Sequence, residues 1–91
     1  GRDNMLEKKI KIQNETGLNA RAASLLVREA TRFKSESFIL KDGNEYNCKS
    51  IMHIMSMLAR QGEEILLKVE GSDEEKAFHE LTKLIENLKD E

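Results

Sequence analysis

The apolar residues of this chain change their spacing at each of four internal glycines, at positions 17, 43, 62 and 71, and there is no proline anywhere. Glycine tolerates the backbone angles of tight turns, so a change of period at each one reads as a turn between elements of different type. Leu6–Gln13 places Leu6, Ile10 and Ile12 on one parity with mostly charged residues between them, the pattern of a half-buried strand. Ala20–Phe33 carries Ala23, Leu26, Val27, Ala30 and Phe33 on one helical face. Two short β-type runs, Ser37–Lys41 and Glu45–Cys48, flank the hairpin loop Asp42-Gly43-Asn44. A short helix opens at Ser50 and runs from Ile51 to about Leu58. Glu64–Glu70 alternates again, with Ile65, Leu67 and Val69 inward. Ser72 and Glu75 then have the S-x-x-E spacing of a capping box. They open a long helix with Ala77, Phe78, Leu81, Leu84, Ile85 and Leu88 inside.

The order is βαββαβα, and each element has one apolar face. That combination predicts an α+β fold, a mainly antiparallel sheet with all helices on one side. At 91 residues it is one domain, expected over 5–91, with Gly1-Arg2-Asp3-Asn4 read as a cloning remnant before Met5. The lone cysteine, Cys48, excludes an internal disulfide, fits a cytoplasmic location and is expected at an inward strand position. No apolar run approaches a membrane span. A net charge of −2 without interleaved aromatic and basic residues argues against direct nucleic-acid binding. The charge is uneven: residues 1–49 carry +3 and residues 50–91 carry −5. This amounts to a weak dipole along the molecule.

Chemistry concentrates at two helix starts. Asn19 caps the first helix and Ser50 the second; most such residues only cap, although free amides at a helix start also suit an anion. The helix after Ser50 adds a second signal. Ile54, Met57 and Leu58 gather on one side of it, and Ile51, Met52 and Met55 on another. A two-turn helix on a sheet buries one side. The other remains an exposed methionine-rich patch suited to a partner, unless neighbouring loops cover both. His53 and His79 read as surface histidines, and no histidine pair, with or without Cys48, has metal-ligand spacing. No phosphate loop, triad or paired-carboxylate arrangement occurs, so neither a cofactor nor enzyme activity is expected.

Gly17-Leu18-Asn19-Ala20-Arg21-Ala22-Ala23 resembles the active loop of the HPr family of the bacterial phosphotransferase system, usually G-(I/L)-H-A-R-P-A. Lys49-Ser50-Ile51-Met52-His53-Ile54-Met55-Ser56 resembles that family's regulatory stretch, commonly K-S-I-M-G-V-M-S. The resemblance runs from about Met5 to Lys89. It implies an open-faced β-sandwich of four antiparallel strands covered by three helices. It also implies a histidine at position 19 that takes a phosphoryl group from phosphoenolpyruvate through the first enzyme of the system. This chain has Asn19 there, whose amide nitrogen has no lone pair free for attack on phosphorus, and Ala22 where the family has proline. Arg21, which in the family helps hold the phosphoryl group, is present.

A chain with Ser50 and its Ile/Met patch but without the active-loop histidine is similar to the catabolite-repression branch of the family. The resemblance implies phosphorylation of Ser50 by an HPr kinase/phosphorylase. The product would bind a LacI/GalR-type catabolite control protein through Asn19, Arg21, Lys49, Ile51, Met52 and Met55. Asn19 and Arg21 join that surface if the two helix starts are neighbours. Two alternatives stay open at this point: a phosphocarrier whose histidine has been replaced, and a partner-binding module that does not use Ser50 phosphorylation.

Overall fold

Alternation with period two puts apolar side chains on one face of a strand, and four such strands pair here into one sheet of order β1-β4-β2-β3. The computed structural model describes residues 5–90. Residues 1–4, read above as a cloning remnant, and residue 91 lie outside the described residues. The elements are β1 (Leu6–Lys11), α1 (Ala20–Thr31), β2 (Glu36–Lys41), β3 (Asn44–Asn47), α2 (Ile51–Ser56), β4 (Glu64–Glu70) and α3 (Glu74–Glu86). All three pairings are antiparallel: Ile10 faces Ile65, Leu67 faces Ile39, and Ile39 faces Tyr46. The three helices pack on the face that carries Ile10, Ile39, Ile65, Leu67 and Val69, all buried. This is the α+β architecture that the spacing predicts.

Several boundaries differ from the sequence expectation, each for a local reason. The first strand ends at Lys11, yet Ile12 stays buried because its amide donates to Glu63 O and its carbonyl accepts from Gly62 N. Helix α1 closes at Thr31; Phe33 folds under it through a tighter bond from its amide to Ala30 O. The hairpin loop is two residues, Asp42 and Gly43, both at positive φ, which matches the twist of the flanking strands. Cys48 lies one residue beyond β3 and is fully buried, as its inward assignment required.

Two expectations are corrected. Leu58 does not join Ile54 and Met57 inside: α2 ends at Ser56, Leu58 takes φ +55°, and its side chain is 66% exposed. A left-handed residue at a helix end reverses the direction of the chain, so the wheel does not extend to it. The Ser72 capping box does not form either. Asp73 is the N-cap of α3, with no side-chain bond into its own helix, and Gly71 N donates to Glu74 Oε1 instead. The Asp73 carboxylate reaches outward and accepts from Lys34 N, Ser35 N and the Ser35 hydroxyl.

Candidate functional site

The start of α1 is built on a close approach. Gly17 has φ +61°, and a Cβ placed on it would sit 2.2 Å from Ala59 O. Only glycine fits there. Leu18 is buried and donates its amide to the same Ala59 O at 3.0 Å. Asn19 follows with extended backbone, and its Oδ1 accepts from Ala22 N at 2.9 Å. Its cap role is therefore as expected.

The donor in that cap explains a second substitution. A proline at position 22 would have no N–H to give. The family motif has proline there; this chain has Ala22, and Asn19 uses its amide. The two departures from the motif thus form one hydrogen-bonded unit, which sequence reasoning that treats the positions separately misses.

Arg21 is exposed, and its Nη1 donates to Lys89 O at 3.0 Å, beyond the end of α3. Next to it, the Asp90 carboxylate closes over the loop before Gly17. Its Oδ1 accepts from Asn14 Nδ2, Thr16 N and the Thr16 hydroxyl, and its Oδ2 from Glu15 N. These bonds hold the Asp90 carboxyl down at about 2, the Thr16 hydroxyl acting most strongly.

The start of α2 is anchored from behind. Asn47 Oδ1 accepts from Lys49 N at 2.8 Å, Asn47 O accepts from Ser50 N, and Lys49 Nζ donates to Phe33 O at 3.0 Å. Ser50 is half-buried with extended backbone, and its Oγ accepts from His53 N at 3.2 Å. His53 does more than face solvent. Its Nδ1 accepts from Asn47 N at 3.1 Å, and its ring meets Tyr46 edge-on with centroids 5.1 Å apart. His79 is exposed on α3.

These contacts fix how the two helix starts relate. The start of α2 is tied to the residue chain that leaves α1, through Lys49 and Phe33. The loop that enters α1 is tied to the segment that leaves α2, through Leu18 and Ala59. Each helix start is thus tied to the segment that leaves the other helix. Ile51, Met52 and Met55 are exposed as expected, with Met52 at 76%, and Leu58 extends the apolar strip toward the Asn19 loop. Ile54 and Met57, on the other side, are buried.

Little else offers chemistry. Burial pushes the Cys48 thiol up to about 12, so it stays protonated and unreactive. Among the described residues no cluster of His, Cys, Asp and Glu could hold a metal. No helix among them is long and apolar enough to cross a membrane.

Residues 6–87 match the family model for the PTS HPr component phosphorylation site. The HPr-like protein Crh of Halalkalibacterium halodurans is 49% identical over 82 residues, covering 90% of this chain and 98% of that protein. Among solved structures, HPr from Bacillus anthracis has a TM-score of 0.86 at 42% identity, covering 91% of this chain and 99% of its own. Crh of Bacillus subtilis, described as a domain-swapped intertwined dimer, has a TM-score of 0.73 at 41% identity, covering 91% and 98%. Sequence, sheet order and both loop-to-helix junctions agree: this chain belongs to the HPr family of the phosphotransferase system, and within it is similar to the Crh proteins.

Proposed function

We propose that this chain is a cytoplasmic regulator of carbon catabolite repression, phosphorylated on Ser50 by an HPr kinase/phosphorylase and then bound by a LacI/GalR-type catabolite control protein. The observation that carries this reading is the contrast at the two helix starts. At the first, Asn19 has no nucleophilic nitrogen, and its oxygen is committed to Ala22 N. At the second, Ser50 opens a helix whose outer side exposes Ile51, Met52 and Met55, an apolar strip that Leu58 continues past the helix end. A phosphate on Ser50 adds about −1.5 to −2 charges at the positive end of a helix, where its oxygens can take over the bond to His53 N without refolding. The partner would engage the phosphate with basic side chains and the strip with apolar ones. Lys49 supports that surface from behind, through its bond to Phe33 O, and Asn19 and Arg21 would join it from the loop that Leu18 ties to Ala59.

The other reading, a phosphocarrier with one residue replaced, fits less well. Blocking transfer takes a single substitution at position 19, whereas this chain pairs Asn19 with an N–H at position 22 that completes its cap. The proposal is tested by isothermal titration of a LacI/GalR-type regulator with unmodified and Ser50-phosphorylated protein. Phosphorylation should tighten binding by at least about tenfold, the scale of one charge-assisted contact. Equal affinity of the two forms would remove the regulatory reading.

A further inference from the structure

Helix α3 is fastened at both ends by a carboxylate that reaches another part of the chain. Before its start, Asp73 accepts from Lys34 N, Ser35 N and the Ser35 hydroxyl. Beyond its end, Asp90 accepts from Glu15 N, Thr16 N and the Thr16 hydroxyl, and also from Asn14 Nδ2. The donor sets match: two successive backbone amides and the hydroxyl of the second residue. Their surroundings differ. Ser35 is 2% exposed and is covered by Gly71, whereas Glu15, Thr16 and Asp90 all lie on the surface. The Asp73 clasp is closed into the fold; the Asp90 clasp faces water.

We propose that Lys89–Asp90 is a releasable strap: Asp90 fills an oxyanion receptor formed by residues 14–16, and an external oxyanion of the phosphate or carboxylate class enters that receptor when Asp90 withdraws. Four donors converge on one carboxylate and engage both of its oxygens, which is the geometry of a receptor and not of a single surface contact. The strap also takes up Arg21, whose Nη1 donates to Lys89 O. Opening it would turn one cation and two backbone amides toward the same anion. Because Asp90 belongs to the chain, it competes at an effective concentration on the order of millimolar or above, so a dilute free anion does not displace it. The residues that Asp90 holds lead directly into Gly17, which packs against Ala59. Its release therefore loosens the loop that borders the α2 strip, independently of whether Ser50 is phosphorylated.

The test is amide-resolved NMR on the wild-type chain and on Asp90→Ala and Asp90→Asn, each titrated separately with inorganic phosphate and with acetate. In the wild type the Glu15 and Thr16 amides should be protected from exchange and indifferent to either anion at low millimolar concentration. In both variants their protection should fall by about tenfold or more, the loss of one charge-assisted acceptor. The Ile65 and Leu67 amides, in the sheet, should stay unchanged and so report an intact fold. Saturable shifts at Glu15 and Thr16 should then appear in the variants. Saturation by phosphate alone assigns the receptor to phosphate groups, and saturation by both assigns it to oxyanions in general. Unchanged protection in the variants would overturn the strap. Shifts that rise without saturation, or equally in the wild type, would overturn the receptor.

Discussion

Asn19 and Ser50 each accept a hydrogen bond from the amide three residues on, at 2.9 and 3.2 Å, and each precedes its helix in extended backbone. The cap chemistry is shared, but the surroundings are not. The loop into α1 is held by Ala59 from one side and by Asp90 from the other, and Leu18 is buried within it. The six-residue α2 is anchored from behind and presents Ile51, Met52 and Met55 to solvent, with Leu58 exposed just past its end. A capping residue thus says where a helix starts; what covers the helix decides whether that start can be a surface for recognition.

The comparison breaks first at Gly17. Gly17→Ala combines a left-handed backbone with a Cβ driven into Ala59 O, and should cost on the order of 4 kcal/mol in urea denaturation. A loss below about 1 kcal/mol would show that the first junction is as open as the second. Next, the two sides of α2 should separate. Ile54→Ala leaves a cavity in the core and should lower stability by about 3 kcal/mol, with a matching fall in melting temperature. Met52→Ala or Met55→Ala should change stability by less than about 0.5 kcal/mol. The same variants should weaken the complex of the phosphorylated protein with its regulator by about 1–2 kcal/mol in calorimetry. Weakened binding without destabilisation for Ile54→Ala, together with unfolding for Met52→Ala, would reverse the assignment of faces.

Much of this was legible from spacing alone. Period-two runs located all four strands, and the Ile54/Met57 side of α2 was separable from the Ile51/Met52/Met55 side because six residues of helix suffice to define a face. Leu58 escaped because the wheel presumes that the helix continues, and a left-handed residue ends it. The Asp73 and Asp90 clasps escaped for another reason. They join residues about 40 and 75 positions apart in sequence, and no local pattern encodes such a pairing. The Asn19–Ala22 bond lay within reach. Proline lacks an N–H, so an asparagine cap and a non-proline residue three positions later belong together.

Asn19→Ala and Ala22→Pro each remove the same hydrogen bond and should each cost about 1 kcal/mol. The double variant should lose no more than the larger single loss plus a few tenths, as a double-mutant cycle would show; full additivity would mean that the two positions are independent.

The mildest effect is on acid stability. The Ser35 hydroxyl and the Lys34 and Ser35 amides hold the Asp73 carboxyl at about 2, and the loop donors hold Asp90 there too. Both folded values lie below the unfolded value of about 3.9. The contribution of each is therefore complete above about pH 4 and is lost as pH falls toward 2. Asp73→Asn and Asp90→Asn should each flatten the acid limb of stability against pH while leaving the slope near neutrality unchanged. An unaltered acid limb in both would count against the clasps.

The central claim is that the second helix start, and not the first, carries the phosphate. Intact-mass analysis after two parallel incubations tests it most directly. One incubation uses phosphoenolpyruvate with the first enzyme of the sugar system, the other ATP with an HPr kinase/phosphorylase. No mass should be added in the first, and one acid-stable phosphate should be added in the second, mapped to Ser50 and abolished in Ser50→Ala. An acid-labile phosphate on His53 or His79 in the first incubation, or a phosphate on Ser24, Ser56 or Ser72 in the second, would contradict it.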